Sequence, residues 1–170
     1  REEDFDADNL PWRVLPEKSG GGYFFDLASH QLDWLDFVFG KAELISSKVE
    51  NRCRLYAAED FVEAELQYPN NIHFKGSWIF CVPKQEQLDR IEISGTKGKI
   101  RFSSFEFEPI VLENENGIQT FPFEKPIHVQ KQLIRQVVEQ LQGKRPCVST
   151  AETAIATNLL MEKIIYQKKS

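Results

Sequence analysis

Between Ser19 and Gly40 the chain reads SGGGYFFDLASHQLDWLDFVFG, and its only acidic or basic residues there are Asp26, His30, Asp33 and Asp36. In a helix turning about 100° per residue, Asp26, His30 and Asp33 fall at i, i+4 and i+7 and share one side. Those types can move a proton. A neutral imidazole takes a proton near pH 7, and a carboxylate one turn away can fix its tautomer. The preceding glycines, Gly20, Gly21 and Gly22, would let a substrate approach the backbone closely. The same residues also fit a plainer arrangement, in which Asp26 and His30 simply pair or the stripe faces solvent. Residue types alone leave both open.

The elements around this stretch follow from periodicity. Phe24, Phe25, Leu27, Leu32, Trp34, Leu35, Val38 and Phe39 occupy the other faces, which predicts a helix buried on most of its circumference and stopped by Gly40. Ahead of it, REEDFDADNL is an acidic lead-in, and Pro11 and Pro16 keep the chain irregular. Trp12 and Arg13, just before the site, fit either a substrate contact or a tethering aromatic with a surface charge.

Beyond Gly40 the period becomes that of strands. Lys41 to Arg54 carries Ile45 and Val49 amid polar residues, and in Phe61 to Tyr68 the residues Val62, Ala64, Leu66 and Tyr68 alternate with Glu63, Glu65 and Gln67. Pro69-Asn70-Asn71 turns the chain into Ile72 to Val82. Leu88 to Ser94 and Lys99 to Ser103 flank the hairpin turn Gly95-Thr96-Lys97-Gly98. Pro109 to Glu113 and Ile118 to Phe123 flank Glu115-Asn116-Gly117. Helical spacing returns over Val129 to Gln142, with Leu133, Ile134, Val137, Val138 and Leu141 as its stripe and Gly143 as its stop. Ser149 and Glu152 have capping-box spacing for a last helix to about Tyr166, with Ala151, Ile155, Leu159 and Ile165 among its core candidates. The whole predicts one α+β domain over residues 1–170: an open, mainly antiparallel β-sheet with helices packed on one face.

The pattern WR, a spacer, SGGG, Asp-x-x-x-His-x-x-Asp and FG resembles the start of the C-terminal domain of the Gfo/Idh/MocA oxidoreductases, and IEISGTKGKIRF at Ile91 to Phe102 resembles a later family segment. The resemblance runs on through the final helical stretch, His128 to Tyr166. It implies the same fold, with the open sheet face serving subunit contacts. It also implies a preceding Rossmann domain that binds NAD or NADP and carries a catalytic lysine in a Glu-Lys-Pro segment. This chain has no GxGxxG after a strand, and its Glu124-Lys125-Pro126 lies late, between a strand and a helix, as a chance match. The expectation is therefore a fragment or processed chain that binds no cofactor alone.

In that reading His30 takes the proton of a sugar or polyol hydroxyl, and Asp26 orients His30 or holds a substrate hydroxyl. Gly21, Gly22, Arg13 and Asp33 line the substrate. The alternative is a non-catalytic oligomerisation or carbohydrate-binding module on the same fold.

Composition excludes several other classes. A net charge of -5 without a strong Lys/Arg cluster argues against a nucleic-acid surface. No apolar run reaches the roughly 20 residues that span a bilayer, so no membrane partner is expected. Cys53, Cys81 and Cys147 are odd in number and widely spaced, which suggests neither a disulfide framework nor a zinc site. No two histidines have ligand spacing; His73 reads as a strand-surface residue and His128 as a helix-entry residue, so no metal is expected. Reduced cysteines fit a cytoplasmic location. Apolar Ile79 and Cys81, with Phe105 and Phe107, predict a homo-oligomer, a dimer at least, formed through the sheet face.

Overall fold

A computed structural model describes residues 8–166; the expectation for residues 1–7 of the acidic lead-in lies outside them. The described chain forms two compact units, one of residues up to Glu86 together with those from Thr150 onward, the other Gln87–Ser149. All strand pairing is antiparallel, as expected of this α+β fold, but the strands form two sheets rather than one.

In the first unit a short helix α1 (Pro16–Ser19) precedes a π-helical turn (Phe24–Ala28), which runs directly into α2 (Ser29–Phe39). The sheet order is β1 (Glu43–Glu50), β2 (Phe61–Tyr68) and β3 (Ile72–Ile79), and α4 (Ala151–Tyr166) completes the unit. The alternation in β2 works as the period requires: Val62, Ala64, Leu66 and Tyr68 are all buried. They meet Phe24, Ala28, Leu32 and Leu35 from the helical segment, Trp78 from β3, and Leu160, Met161 and Ile164 from α4. The opposite sheet face is charged. Glu65 pairs with Lys75 at 2.7 Å, and Phe61 is covered by the Arg52 guanidinium. Ile79 is therefore an exposed apolar residue on a largely polar face, not part of a wide apolar one.

β1 carries a bulge, and two expectations for α4 shift. The β1–β2 register slips between Leu44 and Ser46, so Ile45 bulges outward, 50% exposed, while Leu44 packs on the core. In α4 the core face is Thr157, Leu160, Met161 and Ile164, and Ile155 and Leu159 are exposed. The helix is apolar on two sides, so spacing did not single out the buried one. Its start also differs: the reciprocal pair is Thr150 and Thr153, each backbone N–H reaching the other's hydroxyl, at 3.0 and 3.5 Å.

The second unit is the meander β4 (Ile91–Gly95), β5 (Gly98–Phe102), β6 (Ile110–Asn114) and β7 (Gly117–Phe121), followed by α3 (Lys131–Leu141). Gly95 pairs with Gly98 across Thr96-Lys97, and Gly98, at φ 142°, lies so close to the Glu113 carbonyl that a side chain would collide. Register puts Ile93, Ile100, Leu112 and Gln119 in one row, flanked by Ile91, Phe102, Ile110 and Phe121 on the same face. That face is apolar, and Ile100, Ile110 and Phe121 remain exposed on it. The predicted stripe of α3, from Leu133 to Leu141, is likewise exposed. Gly143 ends the helix in the left-handed conformation, as its position predicts.

Leu66 sits fully buried on the middle strand of the first sheet. Leu66→Ala should cost about 2–5 kcal/mol of unfolding free energy, read as a lowered urea midpoint. A loss below about 1 kcal/mol would mean that this face is not the centre of the core.

Candidate functional site

The glycine loop is held by its own chain. Gly20 caps α1 at φ 80°, its N–H bonding Pro16 O at 2.8 Å. The Ser19 hydroxyl donates to the Gly21 carbonyl at 2.6 Å and accepts from the Gly21 N–H at 3.3 Å. Both Gly21 and Gly22 are buried. A side chain on Gly21 would collide with the Phe25 ring, and one on Gly22 would lie 2.8 Å from the Ala58 Cβ and 3.0 Å from Glu59 Oε1. The close approach that glycine permits is thus taken up by Phe25, Ala58 and Glu59.

The helix that follows does not keep one phase. Over Phe24–Ala28 the turn is widened to i→i+5 bonding, so the 100° step fails between Asp26 and the residues of α2. The Ser29 hydroxyl donates to the Asp26 carbonyl at 3.0 Å within this turn. Asp33, one of the predicted stripe, accepts from the Thr157 hydroxyl of α4 at 3.3 Å and so serves the contact between helices.

What the fold does bring together is Arg13 and Asp26. Arg13 Nε donates to Asp26 Oδ2 at 2.9 Å, each side chain about 40% exposed, and the guanidinium also lies 4.9 Å from the ring centre of Trp12, itself 54% exposed. Trp12 and Val14 belong to a single 3₁₀ turn, which is why ring, cation and carboxylate meet. His30 lies at the head of α2, one turn on, and is exposed. An indole face, a guanidinium–carboxylate pair and an imidazole near one helix head are groups that can hold and deprotonate a hydroxylated substrate.

Comparison with known proteins decides the family. The profile of the GFO/IDH/MocA C-terminal domain matches residues 1–101. Oxidoreductase P35 of Formosa agariphila is 35% identical over 153 residues, which is 88% of this chain and 45% of the relative. The chain belongs to the GFO/IDH/MocA family. Solved structures share its fold at lower identity. The aldose-aldose oxidoreductase from Caulobacter crescentus, complexed with glycerol, gives a TM-score of 0.74 at 15% identity, over 91% of this chain and 47% of that one. An oxidoreductase from Agrobacterium radiobacter in complex with NAD+, L-tartaric acid and magnesium gives 0.70 at 16%, over 86% and 46%. This GFO/IDH/MocA domain thus spans about half the length of the relatives it matches.

Two carboxylates behind the site went unnoticed in the sequence of this GFO/IDH/MocA domain. Glu59 packs under Gly22, its Oε1 buried without a hydrogen-bond partner. Burial pushes its carboxyl upward, and the N–H groups of Glu59 itself and Gly22 offset that only in part. Asp60, 1% exposed, accepts from the N–H groups of Arg52 and Cys53, each at 2.7 Å. The only sequence signal for either was a Glu-Asp pair directly ahead of an alternating strand. On α2, burial likewise raises Asp36, with the Tyr68 hydroxyl beside it partly opposing, and burial and then the Asp36 charge push Tyr68 up. Neither Asp36 Oδ1 nor the Tyr68 hydroxyl has a hydrogen bond of good geometry.

A carboxyl raised by burial binds its proton more tightly folded than unfolded. Its contribution is full below the ordinary value of 4.5 and is lost as pH climbs through the folded value. Glu59→Gln should remove that dependence. The urea midpoint of the wild type should fall, relative to the variant, as pH rises from about 4.5. Parallel curves would show that the burial of Glu59 has no energetic consequence.

Proposed function

We propose that this domain is the substrate-holding, acid/base half of an NAD(P)-dependent oxidoreductase that acts on a hydroxyl of a sugar or polyol. The observation that carries the reading is the exposed set of Trp12, Arg13 and Asp26 with His30 one turn along the helix. A ring face suits the C–H side of a sugar, and a guanidinium paired with a carboxylate suits neighbouring hydroxyls. The glycerol in the Caulobacter crescentus structure and the NAD+ and L-tartaric acid in the Agrobacterium radiobacter structure are in keeping with that chemistry.

The donor set suits the alcohol and not the dinucleotide. The Gly21 N–H is bonded to Ser19 and the Gly95–Gly98 turn closes a hairpin, so neither is a cradle for a pyrophosphate. A further domain of the protein would hold the cofactor. When bound there, an oxidised nicotinamide would supply the acceptor for the hydride of the carbinol carbon. His30 takes the hydroxyl proton as the C–O bond becomes C=O, while Asp26 and Arg13 fix the neighbouring hydroxyl. The protein that contains this domain is proposed to work in the cytoplasm.

In the full-length protein His30→Gln should lower kcat by about 10²–10⁴-fold while leaving the dinucleotide Kd unchanged. Full activity in that variant would remove His30 from the chemistry. Sugar binding with no turnover in the presence of either dinucleotide would favour the non-catalytic module.

The apolar face of the second sheet supports self-association as a further role. Stable interfaces bury about 800 Å² per partner. Light scattering at micromolar concentration should report at least a dimer, and Ile100→Lys should shift it toward monomer. A wild-type monomer at high concentration would overturn this assignment.

A further inference from the structure

Two of the three cysteines, 28 residues apart, converge in the first unit. Cys53 lies in the loop between β1 and β2, and Cys81 follows β3 closely. The Cys53 thiol points to the Cys81 carbonyl at 3.8 Å, and the two sulfurs and a carboxylate oxygen of Asp60 all lie within 4.8 Å of one another. Sequence spacing gave no reason to expect this, because the sheet register creates it: Phe61 pairs with Ile79, which sets residue 60 beside residue 80.

We propose that Cys53, Cys81 and Asp60 form a binding site for a thiophilic divalent cation of the zinc class, with solvent as the fourth ligand.

The geometry is nearly that of such a site. Zinc–sulfur bonds of about 2.3 Å and zinc–oxygen bonds of about 2.0–2.2 Å put the ligand atoms of a tetrahedral site about 3.5–3.8 Å apart, so closure needs movement of about 1 Å. The frame is rigid where a site needs it. Asp60 O accepts the Phe80 N–H at 2.8 Å, and Asp60 Oδ2 accepts the Cys53 N–H at 2.7 Å, so one residue anchors the segments of both cysteines. Each carboxylate oxygen has a second lone pair left after those bonds, and a ligating carboxylate is ordinarily hydrogen-bonded in this way. Cys53 is exposed, which gives an ion its entry. The nearby cation is engaged elsewhere: Arg52 pairs with Glu50 at 2.7 Å and lies over Phe61. Two sulfurs with one oxygen select zinc-class ions over magnesium or calcium, and each thiol releases its proton to solvent as it binds. The carboxylate also separates this reading from a disulfide, which would need the thiols alone.

The test uses the reduced 170-residue chain and Co²⁺ as a spectroscopic probe, displaced afterwards by Zn²⁺. One equivalent of Co²⁺ should give a thiolate-to-metal charge-transfer band in the near ultraviolet. Cys53→Ser, at an exposed position, should keep its circular dichroism and lose the band, as should Cys81→Ser, whereas Cys147→Ser should retain it. The Zn²⁺ affinity of Cys53→Ser should fall by more than the roughly 10–100-fold that loss of an outer partner costs. No band in the reduced wild type, including the case in which the pair only oxidises to a disulfide, would overturn the proposal. So would a band that survives Cys53→Ser or disappears in Cys147→Ser.

Discussion

A carboxylate that is almost wholly removed from water must be hydrogen-bonded, since an uncompensated buried charge costs several kcal/mol. Asp60 meets that demand with two main-chain N–H groups, and its own main chain adds bonds to two further segments. Its side chain takes the N–H groups of Arg52 and Cys53, its own N–H reaches Glu50 O at 3.1 Å, and its carbonyl takes Phe80 N–H. The ends of β1, β2 and β3 are thereby joined at one residue. The loop so fixed carries Tyr56 and Ala58, which form a second small core with Val14 and Tyr23. That core supports the glycine loop, and through it the turn that bears Arg13 and the head of α2.

Much of the fold was legible because burial on one face imposes a period. The middle strand, β2, was read with its observed limits because Val62 to Tyr68 alternates strictly, and both hairpins of the second unit were marked by their glycine turns. What escaped was phase. A bulge in β1 turns Ile45 outward without any mark in the sequence, and α4 offered two apolar sides between which spacing cannot choose. The division of the strands into two sheets left no local mark at all, since pairing between strands is a property of the whole chain.

The site was legible in its parts and not in its arrangement. Arg13 and Asp26 were both singled out, but their pairing depends on a 3₁₀ turn and a π-helical turn that no local pattern announces. The α-helical phase placed Asp33 beside Asp26, whereas Asp33 meets Thr157 on a helix far along the chain. The glycines illustrate the same limit. Their lack of a side chain reads as room for a substrate to come close, whereas the groups that lie against them are the Phe25 ring, the Ala58 Cβ and Glu59. The convergence of Cys53 and Cys81 is also a product of strand register alone.

The order of elements has a consequence for how the chain is made. Ser47 on β1 donates to the carbonyl of Ile164 at 2.8 Å, 117 residues later, and Leu160, Met161 and Ile164 share the core of the first unit. Between them the chain builds a separate meander of local hairpins. On a ribosome, the three-stranded sheet therefore emerges with part of its inner face uncovered and waits for the last helix while the meander is synthesised. Synthesis at about 5–20 residues per second makes that wait several seconds long, time enough for the hairpins to form but also for an uncovered sheet to find the wrong partner. A chain cut short before α4 would be left with that surface permanently open.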